Sequence, residues 1–104
     1  MFIARMHIEA RFGHKQKALE LFRKWDKEIG PKAGIPAGSQ TILSGSIGAK
    51  EAAFEMEMKI KNLAELDGIF AKLADIPEHA KWGQEMEPHV VSGSNYWQIF
   101  RVVE

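Results

Sequence analysis

With 104 residues, the chain can bury one hydrophobic core but is too short for two, so a single domain covering residues 1–104 is predicted. Its 14 basic and 14 acidic residues give a formal net charge of +0, which provides no positive field for nucleic acid or anionic lipid. The absence of cysteine excludes disulfides, thiol nucleophiles and cysteine-ligated metals. The sequence has no apolar run of about 20 residues and no signal-peptide cleavage pattern, so a cytoplasmic protein without membrane contact is expected.

The first half of the chain predicts a strand followed by a helix. Apolar and charged or polar side chains alternate over residues 2–11, which is typical of a half-buried strand. After Gly13, the segment HKQKALELFRKWDKEI carries an apolar stripe at helical spacing. Gly30 followed by Pro31 predicts the end of this helix, and GPKAGIPAGS predicts a loop.

The second half predicts two strands, two helical segments and a final strand. Residues 40–47 and 54–61 alternate as strands, the second of them most cleanly. Asn62, with Glu65 three positions later, resembles a capping box that opens a helix. A further helical segment, PEHAKWGQEM, begins at Pro77, and SNYWQIFRVVE predicts a last strand that is apolar on both faces.

The predicted order is β-α-β-β-α-β with an extra helical segment before the last strand. This order predicts an α+β, ferredoxin-like fold with a four-stranded antiparallel sheet, both helices on one face, and the first and third strands in the centre. The charged sides of these two central strands then share the open face of the sheet. The residues expected there are Arg5, His7, Glu9, Glu55, Glu57 and Lys59.

The last strand predicts a partner for the open face. Helices can cover only one of its sides, so either Tyr96 and Phe100 or Trp97 and Ile99 need another cover. A second copy of the chain, packed open sheet against open sheet, is the simplest cover. A homodimer is therefore predicted.

Element order and the segment WGQEMEPHVVSGSNYWQIFRVV together resemble the dimeric α/β-barrel superfamily. This group includes antibiotic-biosynthesis-type monooxygenases, stress-responsive barrel proteins and NIPSNAP-like proteins. Several members have a histidine that closes the helix before the last strand, and His89 in EPHV occupies the comparable place. His79 lies too far upstream to match the second histidine of some members. Haem-degrading members have an asparagine on the first strand, where this chain has His7 instead.

The resemblance implies a dimeric α/β barrel with a cavity between sheet and helices. Some members are described as oxidising electron-rich aromatic substrates there without a metal or organic cofactor. Others bind haem, and many have no known activity. For this chain we accordingly expect no cofactor.

Two histidines are the candidate catalytic residues. His7 and His89 could transfer protons at neutral pH, since the ordinary pKa of histidine is about 6.5. The alternative for His7 is a non-catalytic position on a solvent-exposed face of the sheet, where it would pair with Glu55 or Glu57. That carboxylate cluster, with Arg5 and Arg101 if they share its face, could hold a polar ligand or serve only as an ion-pair network at a dimer interface.

Five residues are the candidate ligand contacts. Trp82 and Met86 share one helical face and, with Trp25 or Trp97, could wall a flat apolar pocket with His89 at its mouth, although such pairs are often simply core. Glu57 and Arg101 would add polar contacts. No histidine or carboxylate pair has metal-ligand spacing, so no metal site is predicted. The glutamates of the third strand would repel phosphate, which argues against nucleic acid on the open face.

Two functions remain open from the sequence. One is a homodimeric barrel that binds a small apolar or aromatic molecule and oxidises it without a cofactor. The other is a non-enzymatic dimeric module, NIPSNAP-like, whose polar cluster serves assembly. A cavity filled by its own side chains would favour the second function.

Overall fold

A computed structural model describes residues 1–103 and shows an α+β, ferredoxin-like domain, as predicted. Four antiparallel strands form one sheet, in the order β2-β3-β1-β4. The predicted central position of the first and third strands is therefore confirmed. None of the helices within residues 1–103 has the length and apolar character needed to cross a membrane. The strands are β1 (Phe2–Glu9), β2 (Thr41–Ser44), β3 (Ala53–Ile60) and β4 (Tyr96–Arg101), and the α-helices are α1 (Lys15–Lys24), α2 (Leu63–Ala74) and α3 (Pro77–Met86).

Strand register decides which side chains share a face of the sheet. Met6 of β1 pairs with Met56 of β3 and Trp97 of β4, so these three side chains lie on the side covered by the helices. The next residue, His7, pairs with Glu55 and Tyr96 and points to the open side. The two faces thus differ strongly in chemistry, because alternate residues of the central strands differ.

The core lies between the sheet and the helices. Phe22 of α1 and Phe54 of β3 are each 1% exposed, and their rings meet edge to face at 5.0 Å. Truncating either to alanine would cost about 3–5 kcal/mol of stability. The sheet contributes alternate residues and the helices contribute one stripe each. Other members of this core are Ala4, Met6, Ala18, Leu21, Trp25, Met56, Met58, Ile69 and Met86.

The first helical region extends beyond its predicted end. After α1 the chain continues through a π-helical turn, Trp25–Ile29, and a 3-10 turn, Gly30–Ala33. The predicted stop at Gly30 and Pro31 is therefore wrong by about one turn. Pro31 lies in the first turn of the 3-10 helix, where a missing backbone N–H is tolerated. Gly34 then ends the region in the left-handed conformation, at φ 92°.

The second strand is shorter than predicted because a tight turn follows it. β2 ends at Ser44, and the backbone N–H of Gly45 donates to the carbonyl of Ala53 at 2.8 Å. An added Cβ at Gly45 would collide with the backbone carbonyl of Lys50, so the turn requires glycine there. Ile47, predicted as part of the strand, is fully exposed in this turn.

A side-chain cap begins α2, as predicted. The Oδ1 atom of Asn62 accepts a hydrogen bond from the backbone N–H of Glu65 at 2.9 Å. The Glu65 carboxylate reaches back to the backbone N–H of Lys61 at 2.8 Å. This differs from the usual capping box by one residue, but it satisfies two backbone donors at the helix entrance.

We expect Asn62→Ala to lower the free energy of unfolding by about 1 kcal/mol, because the N–H of Glu65 loses its acceptor. Asn62→Asp retains an acceptor and should remain within about 0.5 kcal/mol of the wild type. Urea titrations of the three proteins measure the difference. Equal stability of the alanine and aspartate variants would show that the cap contributes nothing.

Candidate functional site

A cavity of about 730 Å³ lies between the helices and the sheet. The sheet contributes Met6 and Met56 to its floor, and α2 contributes Ile69 and Leu73. All four side chains are buried. The cavity is therefore mainly apolar and within the volume range of small-molecule sites, which is about 300–1,000 Å³.

Four aromatic rings form the inner wall of the cavity. Phe22 and Trp25 come from the first helical region, and His79 and Trp82 come from one face of α3. Phe22 meets Trp82 edge to face at 5.1 Å, and the rings of His79 and Trp82 stack at 5.9 Å with 17° between their planes. The helix spacing of three residues places His79 and Trp82 side by side.

Hydrogen bonds hold both inner indoles in place. Trp82 donates from Nε1 to the backbone carbonyl of Leu21 at 2.7 Å, and Trp25 donates from Nε1 to Nδ1 of His79 at 3.0 Å. Trp25 is the first residue of the π-helical turn, and such turns often occur where a helix builds a site. Since each polar edge has a partner, each indole can present its apolar surface to the cavity.

The cavity opens to solvent beside the edge strand β4. Phe70 of α2 and Trp97 of β4 meet edge to face at 5.2 Å, yet they remain 39% and 40% exposed. Arg11, Glu87 and Val91, which also line the cavity, are exposed as well. The charged groups of the lining are therefore at the mouth, and the inner wall is aromatic and apolar.

Three of the predicted ligand contacts line this one cavity. Trp82, Met86 and Trp97 approach it from α3 and β4, so the structure brings them together. Whether they contact a ligand stays a prediction. His79 lines the cavity too, although the sequence reasoning discounted it. The signal that identifies it is its spacing of three residues from Trp82 on the same helix.

The polar cluster lies on the opposite face of the sheet. Arg5 donates to the Glu57 carboxylate at 2.8 Å, and Nδ1 of His7 lies 3.1 Å from a Glu55 oxygen. Tyr96 stacks on His7 with a centroid distance of 4.5 Å. Sequence reasoning anticipated this pairing of His7 with a strand glutamate. Because the sheet lies between, His7 and Glu57 do not face the cavity.

Arg101 does not join that polar cluster. It pairs with Phe2 in the β1–β4 ladder, and its guanidinium lies 5.5 Å from the Phe2 ring, on the side of the helices. The expected grouping of Arg101 with Glu57 is therefore wrong, since the two residues lie on opposite faces of the sheet. Phe100 precedes Arg101 in β4, and its ring lies 5.8 Å from the Arg5 guanidinium on the open face. Adjacent residues of a strand point to opposite faces, so Arg101 points to the helices.

His89 lies apart from both the cavity lining and the polar cluster. Its Nδ1 is 3.0 Å from Nδ1 of His14, at the entrance of α1, and its carbonyl accepts from the backbone N–H of Arg11 at 3.0 Å. His7 and His89 are thus at separate places, so they cannot act together on one ligand in one chain. Their catalytic roles stay predictions. No group of three or more His, Asp or Glu side chains within residues 1–103 is placed to hold a metal ion.

Burial lowers the pKa of His79 below its ordinary value of 6.5. The N–H of Trp25 acts in the same direction, because it occupies the lone pair on which a proton would bind. The neighbouring Glu78 carboxylate points to Lys32 at 3.0 Å and lies in solvent. His79 is therefore a neutral imidazole at neutral pH.

Solved structures with the same fold include proteins of two named groups. A NIPSNAP family protein from Agrobacterium tumefaciens is 16% identical with a TM-score of 0.81, over 99% of this chain and 93% of that one. A NIPSNAP domain protein from Burkholderia xenovorans is 8% identical with a TM-score of 0.75, over 99% and 95%. An antibiotic biosynthesis monooxygenase is 10% identical with a TM-score of 0.70, over 100% of both chains. No protein-family model and no curated protein matches the sequence. The predicted resemblance is confirmed at the level of the fold.

We expect the free energy of unfolding to fall less between about pH 7.5 and about pH 5.5 in His79→Gln than in the wild type. The unfolded chain protonates His79 near pH 6.5, whereas the folded chain does so only at lower pH. This stabilising contribution is therefore fully present above pH 6.5 and is lost as the pH falls toward the folded pKa. Urea titrations of both proteins at the two pH values measure it. An equal or steeper loss in the variant would contradict the assignment.

Proposed function

We propose that the protein is a homodimer whose cavity binds a small apolar or aromatic molecule in each subunit. The observation that carries the proposal is that all three tryptophans of the chain, Trp25, Trp82 and Trp97, line one cavity of about 730 Å³. Rigid indole surfaces give large contact area at low entropic cost, which suits a flat ring. A module serving only assembly would gain stability from filling such a space.

The second copy is proposed to cover the open face of the sheet. Tyr96 and Phe100 are 47% and 49% exposed there, and Leu43 of β2 lies on the same face. The ion pair of Arg5 with Glu57 and the side-chain contact of His7 with Glu55 both form within one chain. Enclosing these residues would therefore bury apolar surface while both carboxylates keep their partners, whereas burying an unpaired charge is the costly case. A copy of the same chain offers the same mixed surface and closes by two-fold symmetry.

We expect Phe100→Glu to raise the dimer dissociation constant by about a hundredfold, because a two-fold interface would lose two apolar rings and bury two new carboxylates in their place. Arg5, the nearby cation, is already bonded to Glu57. Phe12→Glu is the matched control, since Phe12 is fully exposed in the turn between β1 and α1. Light scattering over a range of concentrations and salt measures the mass. A monomeric wild type, or equal effects of the two variants, would contradict the proposed interface.

The enzymatic form of this proposal is oxidation of the bound molecule by dioxygen without a cofactor. It is favoured by the name of one structural neighbour, an antibiotic biosynthesis monooxygenase. Within residues 1–103, the cavity lining offers Glu87 as its only carboxylate, and that residue is exposed at the mouth. A substrate of this site would thus have to be electron-rich and easily ionised, such as a hydroxylated naphthalene.

We expect Gly83→Phe to lower the affinity for naphthalene at least about tenfold by filling the cavity. Gly83 lines the cavity on α3, and a Cβ added there meets no atom within 4 Å. Gly68→Phe is the matched control on α2, where a Cβ also has open space and the residue is outside the lining. Neither variant should lose stability, since glycine is a poor helix former.

Calorimetric titration with naphthalene measures both variants, and oxygen uptake with 1,5-dihydroxynaphthalene tests the enzymatic form on the same proteins. Uptake that disappears in Gly83→Phe but persists in Gly68→Phe would support an oxygenase. Binding without uptake would assign the non-enzymatic role. Equal binding by all three proteins, or no binding to the wild type, would overturn the cavity as the site.

A further inference from the structure

His79 provides the one unpaired hydrogen-bond donor on the inner wall of the cavity. The indole N–H groups of Trp25 and Trp82 both donate hydrogen bonds to acceptors within the protein. The amide nitrogen of Gln40, another lining residue, donates to Asp26 at 3.1 Å. Arg11 lies at the exposed mouth, where its Nε donates to the carbonyl of Val90. The other lining residues with side-chain donors are exposed as well and lie away from the inner wall: Ser92, Asn95 and Trp97. Within residues 1–103, Nε2 of His79 has no hydrogen-bond partner.

The Trp25 hydrogen bond selects one tautomer of His79. An indole N–H only donates, so Nδ1 of His79 must accept and carry no proton. A neutral imidazole then carries its proton on Nε2. No buried side-chain nitrogen or oxygen in the described chain lacks a partner, so the unpaired Nε2–H is accessible rather than enclosed. His79 is therefore prepared to donate a hydrogen bond and has no lone pair free to act as a base.

The surroundings of His79 restrict which ligand group can accept a hydrogen bond from its Nε2–H. Its ring stacks on Trp82, which fixes the ring plane, and no ion pair holds it. Among the described residues, the four side chains of the inner wall include no cation that would attract a fully charged ligand, and the one ring nitrogen that accepts, Nδ1 of His79, is already bonded to Trp25. A ring system with an oxygen acceptor at its edge satisfies the Nε2–H while its faces lie against apolar and aromatic side chains.

We propose that His79 orients the cavity's ligand by donating from Nε2–H to a carbonyl oxygen on a flat aromatic molecule, with Trp25 as the positioning residue that fixes the donor tautomer. This inference rests on the proposed ligand-binding role of the cavity. It assigns quinone-like and aryl-ketone molecules, rather than plain hydrocarbons or amines, as the preferred class. It also assigns proton abstraction to a group other than His79.

The test compares two probes of nearly equal shape, 1,4-naphthoquinone and naphthalene. The protein has no cysteine with which the quinone could react. Calorimetric titration gives the ratio of the two affinities for the wild type and two variants. His79→Gln places an amide N–H near the position of Nε2, whereas His79→Asn places a polar atom near Nδ1 and removes the outer donor.

We expect the wild type to prefer naphthoquinone by about five- to tenfold, the effect of one hydrogen bond. His79→Asn should abolish this preference, and His79→Gln should retain most of it. Independently of any ligand, two-bond ¹H–¹⁵N correlation spectra of the labelled protein should show His79 with its proton on Nε2. Naphthalene affinity should be similar in all three proteins.

Several results would overturn the inference while leaving the proposed function intact. These are equal affinity for the two probes in the wild type, a preference that survives His79→Asn, or a proton on Nδ1. Loss of the preference in both variants would assign His79 a packing role and would also overturn it. Binding of neither probe by the wild type would overturn the proposed function, and the inference with it.

Discussion

A sheet covered by helices on one side only is the constraint on which the rest of this structure depends. Side chains alternate along each strand, so the central strands β1 and β3 send apolar residues to the helices and charged residues to the open side. The sheet therefore separates two environments within a chain of 104 residues. Met6 and Met56 form the floor of an aromatic cavity, whereas His7 and Glu55, one position away, lie in hydrogen-bonding contact on the other face.

Hydrogen bonds from the indole N–H groups of its aromatic wall keep the cavity open. The indole N–H of Trp82 donates to the backbone of α1, and that of Trp25 donates to the His79 ring. These bonds satisfy groups that would otherwise be costly to bury, and they prevent the indoles from turning inward to fill the space. An apolar cavity of this size lowers the stability of a protein that does not use it. This cost favours a binding role over a purely structural one.

The two faces also divide the candidate functions. The inner wall offers apolar surface and a single accessible donor on His79, which suits recognition of a flat molecule. The open face offers paired charges and exposed rings, a mixture that resembles the surface of subunit interfaces. His89, which lies against His14 away from the cavity lining, belongs to neither. The two histidines predicted to transfer protons, His7 and His89, therefore both lie outside the cavity lining, and a reaction in the cavity would depend on the substrate's own acidity.

The sequence by itself determined the element order and the Asn62 cap, because each follows from local periodicity or short spacing. The usual strand order for that element order then predicted the central strands, and side-chain alternation along them predicted the pairing of His7 with a glutamate. Only the tertiary structure decided the cavity and its inner wall. Trp25 and His79 are 54 positions apart, and no local pattern encodes their hydrogen bond. The face on which Arg101 lies also required the register of β4 against β1, since a shift of one residue reverses every side chain. The helical region continues past the predicted stop at Gly30 and Pro31, because the burial of Trp25 and Ile29 outweighs that local signal.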